Sequence, residues 1–265
     1  MFGMLQSLWK YRSFVLSSIK NELISRFARS KLGGLWLIIN PLSQVLIYAL
    51  ILSNVLAAKL PGIESQYAYA IYLMAGLLAW TLFNEVVSRC LTLFIDQGNL
   101  MKKMSFPRIT LPIIAVGSCL LNNIFLFVAM LGIFALLGHE FSIVMLWLIP
   151  LTLIVLLFAL GLGLILAVLN VFLRDIGQVM PIILQVWFWF TPIVYPESII
   201  PEAYRHLLSL NPMYSITNAY HQILVYNVSP TVDGGLLTIA GISLVLIIFS
   251  LFLFRRANVE MVDVL

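Results

Sequence analysis

Charge is what this sequence has least of. Lys, Arg, Asp and Glu make up only 10% of the chain, against roughly a quarter in a soluble domain, while apolar residues make up 62% and the mean hydropathy is +1.05. A water-soluble fold has no interior able to hide so much apolar surface, so that class is excluded. Cysteine is nearly absent too. Cys119 falls inside an apolar run and Cys90 near the edge of another, so no disulfide between them is expected and both read as packing residues. No Gly-Lys dipeptide occurs, which removes the Gly-rich loop that would wrap nucleotide phosphates. His139, His206 and His221 lie far apart without HExxH or Cys-His spacing, so no metal site is expected. The eleven carboxylates are scattered, whereas a membrane-bound glycosyl- or lipid-transferase would need acids or histidines clustered at one interface.

What is present in excess is long apolar runs, and about 18 such residues suffice for a helix to cross a hydrocarbon core of ~30 Å. Six are found: Leu35–Ala57, Tyr67–Val87, Leu111–Leu137, Ile143–Leu173, Val179–Tyr195 and Leu236–Phe254. They are continuous in Leu, Ile, Val and Phe rather than alternating, which favours helices over a transmembrane barrel. The expected fold is an all-α integral membrane protein with six transmembrane helices in one domain. Residues 1–34 precede the six-helix region 35–254, and 255–265 form a tail.

Orientation follows from Lys and Arg, which cytoplasmic loops retain. With six spans, one side holds Lys10, Arg12, Lys20, Arg26, Arg29, Lys31, Lys102, Lys103, Arg108, Arg174, Arg255 and Arg256, and the other only Lys59 and Arg205. Both termini are therefore expected in the cytoplasm. The same bias, with contact to anionic lipid, accounts for the net charge of +4 without a nucleic-acid partner. The residues ahead of the first run lack a short apolar core with a cleavage site, so the first span itself is expected to direct insertion.

In that N-terminal stretch Leu16, Ile19, Leu23 and Phe27 recur at spacings of three and four, with basic residues elsewhere on the wheel. An interfacial helix on the inner leaflet is expected, with Arg26, Arg29 and Lys31 as candidates to meet an anionic lipid head group. Between the second and third runs, Asp96, Asn99, Leu100, Met101, Lys102, Lys103, Met104 and Phe106 mix basic and apolar side chains. Such a segment either anchors to the membrane surface or docks a partner, and flexible methionines suit an interface that repacks. From Pro196 to Gly235, two short amphipathic patterns break at Asn211-Pro212, as expected of re-entrant or interfacial helices that cap an opening.

The charged groups nearest the membrane centre are Glu85, inside the second run, and Arg89, just past its end, four apart in the favourable helical order and expected as a structural pair or a functional relay. The scarcity of such groups disfavours ion-coupled pumping. Aromatics are denser: Trp187, Phe188, Trp189, Phe190 and Tyr195 crowd the end of the fifth run, and Tyr67, Tyr69 and Tyr72 open the second. They form either an interfacial belt or faces on which sugar rings stack. Gln44, Tyr48 and Gln185 are the polar candidates for such a path, beside Trp187, Trp189, Phe190 and Tyr195.

The sequence resembles the membrane subunits of bacterial ABC exporters of polysaccharides: the O-antigen, capsule and teichoic-acid permeases. Five segments carry the likeness: Lys31-Leu32-Gly33-Gly34-Leu35-Trp36 with Asn40-Pro41-Leu42; Gly76-Leu77-Leu78-Ala79-Trp80; Asn99 through Phe106-Pro107-Arg108 to Leu111-Pro112; Asn170-Val171-Phe172 with Arg174-Asp175-Ile176; and Leu210-Asn211-Pro212-Met213 with Ala219-Tyr220. The resemblance implies a homodimer bound to two copies of a separate ATPase subunit, which carries the ATP and Mg, so that this chain binds no cofactor and is not itself an enzyme. It further implies a polyprenyl-pyrophosphate-linked glycan as cargo, most simply an O-antigen, in the bacterial inner membrane. Asp96 to Phe106 would be the coupling element on the ATPase, and the loop after the fifth span would gate the channel. A drug or small-lipid exporter of the same ABC class is the rival within that class.

Overall fold

The structure is a computed structural model that describes residues 9–27, 31–47, 68–103, 107–136, 138, 142–232, 234–257 and 260–264. All regular elements among them are helices. In chain order they are α1 (Arg12–Phe27), a 3-10 turn at Gly33–Leu35, α2 (Trp36–Ile47), α3 (Ala68–Asp96), α4 (Gly98–Lys103) and α5 (Thr110–Leu136). A second 3-10 turn (Ile143–Trp147) leads into α6 (Leu148–Phe172), followed by α7 (Ile176–Phe190), a short turn at Glu197–Ile199, α8 (Glu202–Leu208), α9 (Pro212–Leu224), α10 (Gly234–Ala257) and α11 (Glu260–Val264).

Four helices among the described residues are long and apolar enough to cross a membrane: Ala68–Asp96, Thr110–Leu136, Ile143–Phe172 and Gly234–Ala257. They match the second, third, fourth and sixth apolar runs. The first run begins in α2, and its remainder, 48–57, lies outside the described residues. The fifth run differs from expectation. It forms α7, whose 15 residues span about 22 Å at 1.5 Å per residue, short of the ~30 Å core. The cause is local: Pro192 forces the preceding Thr191 into extended backbone (φ −102°, ψ 128°), which ends the helix.

α3 is the enclosed centre. Every residue from Ala68 to Trp80 is buried, and α5, α6, α7 and α9 all pack against it. Glycines set the closest crossings. A Cβ at Gly163 of α6 would lie 2.8 Å from Cys90 Cβ of α3, and one at Gly161 would lie 2.8 Å from Leu246 Cβ of α10. Where lipid surrounds the helices, such small residues let backbones approach and gain dispersion contacts. Cys90 and Cys119 are both buried and free, as expected of packing residues.

Among the described residues the core has two main clusters and a small third at Ala68 and Tyr72. The larger cluster runs along α3 from Ile71 to Leu91 and takes in Phe158 of α6 and Ile216, Tyr220 and Ile223 of α9. The smaller one sits at the Asp96 end, joining Phe94, Met101, Leu111, Val168, Phe254 and Met261. Asn170 knits this end: its Nδ2 donates to Leu91 O at 2.8 Å, and its Oδ1 accepts from Gly177 N at 2.9 Å. The end of α6 is thereby tied to α3 and to the start of α7, which explains structurally why the 170–177 segment has its composition.

Candidate functional site

α7 climbs from Gly177, beside Asn170, until its end meets the middle of α3. There Trp187 stands edge-on to Phe83 (5.2 Å between centroids), Trp80 (6.4 Å) and Phe158 (6.4 Å). Edge-to-face pairs of this kind contribute about 0.5–1.5 kcal/mol each beyond area burial. The turn after α7 is tied to the beginning of α3: Tyr69 Oη donates to Val194 O at 2.7 Å, and Tyr72 Oη lies 3.3 Å from Pro192 O and 3.2 Å from Tyr195 O.

The chain then doubles back. α8 leads to Asn211, whose side chain does three things at once. Its Oδ1 accepts from Met213 N (3.0 Å), capping α9, and from Trp187 Nε1 (2.8 Å). Its Nδ2 donates to Thr191 Oγ1 (2.9 Å) and to Phe190 O (3.2 Å). From that pin α9 returns toward the Ala68 end, where His221 stacks on Tyr72 with centroids 3.7 Å apart and Val225 packs on Ala68 and Tyr72. Tyr220 is fully buried, its hydroxyl 2.9 Å from Thr152 Oγ1 of α6. The break at Asn211-Pro212 was legible in the sequence. The hydrogen bonds that make Asn211 a pin, and the parts played by Tyr72, Tyr220 and His221, were not.

Between α7 and α8 lies an open cavity of about 760 Å³, walled by Ile183, Val186, Trp187, Phe190, Tyr195 and Tyr204 among others. Of the residues expected on a glycan path, Trp187, Phe190 and Tyr195 line it. Trp189 is exposed and Gln185 is exposed on the same helix. Tyr195 also donates to Trp189 O at 2.7 Å. Tyr48 and the side chain of Gln44 lie outside the described residues.

The segment expected to dock a partner forms α4. Asp96 accepts from Thr92 Oγ1 at 2.7 Å and is exposed, as are Asn99 and Lys102. Met101 corrects the expectation of a surface methionine: it is only 4% exposed, buried among Phe94, Leu111, Val168 and Phe254. Because α4 folds back under α3, its apolar side closes the chain's own core, and Leu100 packs against the same cluster. Among the described residues the exposed side of α4 carries Asn99 and Lys102. Met104, Phe106 and the side chain of Lys103 lie outside the described residues.

At the N-terminal helix, Arg29 and the side chain of Arg26 lie outside the described residues, and Lys31 is exposed. Of the apolar stripe expected on the inner leaflet, Leu16 is 67% exposed while Ile19 and Leu23 are half-buried, and Val15, outside that stripe, is buried. Arg89 reaches across to an ion pair with Glu22 of α1. Glu85 accepts from Asn122 of α5 at 2.7 Å.

Long apolar helices packed around a buried α3 define a multi-pass membrane protein, with the short helix α4 at one end of α3 and an aromatic elbow toward the other. The chain belongs to the ABC-2 type transporter family, whose model matches residues 14–225. It is similar to the O-antigen export system permease protein RfbA of Myxococcus xanthus, 30% identical over 269 residues that cover 99% of each chain. A Klebsiella pneumoniae protein of that name is 29% identical over 249 residues, 90% of this chain and 91% of the relative. The polysialic acid transport protein KpsM of Escherichia coli is 25% identical over 200 residues, 74% of each.

Proposed function

We propose that this chain is the membrane subunit of an ATP-driven exporter that moves a lipid-linked polysaccharide, an O-antigen in the first instance, across the bacterial inner membrane. The observation that carries this reading is near full-length similarity to relatives named for O-antigen export. The chain works as a homodimer on two ATPase subunits, which bind the ATP and Mg. Both termini lie in the cytoplasm, following the Lys and Arg asymmetry, so α4 faces the ATPase with Asn99 and Lys102, and Lys31 lies at the inner leaflet.

With that orientation α8 and α9 are re-entrant helices of the outer half. Their turn at Asn211 lies level with Trp187, deeper than the Tyr72 end of α3. Irregular backbone at that depth survives only where protein or a water-filled path surrounds it, and the Asn211 pin satisfies the groups freed at the turn. The exposed aromatic flank of α7, with Gln185 as a polar edge, gives sugar rings stacking faces along a path.

Deleting the gene tests the export reading. Surface polysaccharide should disappear while its polyprenyl-linked precursor accumulates inside, and chemical identification of that precursor separates O-antigen from the capsular class suggested by the KpsM likeness. A deletion strain with normal surface glycan and no internal precursor would contradict it.

A further inference from the structure

α1 is thinly held. Val15 is its buried apolar residue, and Ile19 fits against α5 only because position 117 is glycine: a Cβ there would run into Ile19 Cδ1. Polar groups add to this hold. Glu22 is ion-paired with Arg89 of α3 and also accepts from Ser118 Oγ of α5 at 2.7 Å, while Arg89 Nη1 lies 3.8 Å from Cys119 Sγ. One carboxylate thus joins α1 to two spans.

Below this joint α3 passes through a single turn residue, Gln97, into α4. Arg89, Thr92 and Asp96 follow one face of α3, and Thr92 ties to Asp96. Backbone hydrogen bonds bridge the turn at Gln97, from Gln97 N to Leu93 O (3.1 Å) and from Met101 N to Gln97 O (3.0 Å). Buried Met101 locks α4 to α3. Between α1 and Leu100, by contrast, lies a cavity of about 390 Å³, bordered by Phe14, Ser18, Glu22, Arg89 and Asp96. A displacement of α4 therefore reaches α1 through α3 and Arg89.

We propose that Glu22 and Arg89 are positioning residues for transport, the joint that makes α1 move with α3 when the segment 96–103 is displaced. An ion pair is a poor choice for mere adhesion, because removing two charges from water offsets most of their attraction and apolar residues hold as well. What it supplies is a single register: a shift of one residue along α1 turns Glu22 about 100° away from Arg89. The inference rests on the proposal that α4 receives the stroke of an ATPase subunit.

The test uses the full complex of this chain with its ATPase subunit in lipid vesicles, reading glycan moved per ATP hydrolysed. Glu22→Gln and Arg89→Gln should leave complex yield and ATP hydrolysis at the wild-type level while the ratio falls roughly five-fold or more. The exchanged pair Glu22→Arg with Arg89→Glu should restore it, and Gly117→Val, which lifts α1 by sterics alone, should lower it without touching a charge. An unchanged ratio in the single variants would overturn the proposal. So would an exchanged pair that assembles with the ratio still low, or one that fails to assemble, since the pair would then be a folding requirement. A wild-type complex that hydrolyses ATP but moves no glycan would instead contradict the export reading itself.

Discussion

At the scale of single residues, the positions that matter most make several contacts from one side chain or none at all. Gly76 is of the second kind. A Cβ there would lie 3.0 Å from His221 Nε2 and 3.3 Å from Ile193 Cα, so α3, α9 and the turn after α7 converge on the space a side chain would fill. Overpacking a site of this kind costs about 1–3 kcal/mol, more than the gain of under ~1 kcal/mol from replacing glycine within a helix. Gly76→Val is accordingly expected to lower the melting temperature of the purified chain in detergent. An unaltered melting temperature would show that α9 does not press on α3 there. Asn211 is of the first kind, with a helix cap, an indole and two groups at the end of α7 on one amide.

At the scale of elements, α4 combines two faces that the sequence did not separate. Met101 closes the cluster at the Asp96 end, so Met101→Asp should remove about 3 kcal/mol or more by burying a carboxylate without a partner, read as aggregation on size exclusion. Lys102→Glu changes only the exposed side. It should leave the chain monodisperse and reduce recovery of the ATPase subunit on co-purification; equal recovery would remove α4 from the docking surface. The long spans were legible because continuous apolar runs leave no alternative to a helix in lipid. The fifth run misled because its apolar length continues past Thr191-Pro192, where the backbone turns and the helix stops. The side of α1 that meets α3 and α5 was not legible, for another reason. Its register is set by the notch at Gly117 and the charge at Arg89, both distant in sequence and invisible to periodicity. Likewise Glu85 and Arg89 read as partners of each other, whereas in the fold they also reach Asn122 and Glu22 on other helices.

At the scale of the whole molecule, the two ends of α3 carry different chemistry. The Asp96 end has a stiff, packed helix that presents polar residues outward, joined to α1 through one ion pair. Toward the Ala68 end the chain doubles back through Asn211 and leaves a cavity of about 760 Å³ open beside aromatic rings. The proposed export role assigns the stroke of the ATPase to the first end and the cargo path to the second. α7 and α10 leave Ile182, Trp189, Phe190, Leu244, Val245 and Phe252 exposed, an apolar surface suited to lipid and to a second copy. The most direct measurement is the arrival of lipid-linked polysaccharide at the far leaflet of vesicles that contain this chain with its ATPase subunit, scored with a glycan-specific lectin. Export should require both subunits and ATP; lectin signal that appears without ATP, or equally without this chain, would contradict the account.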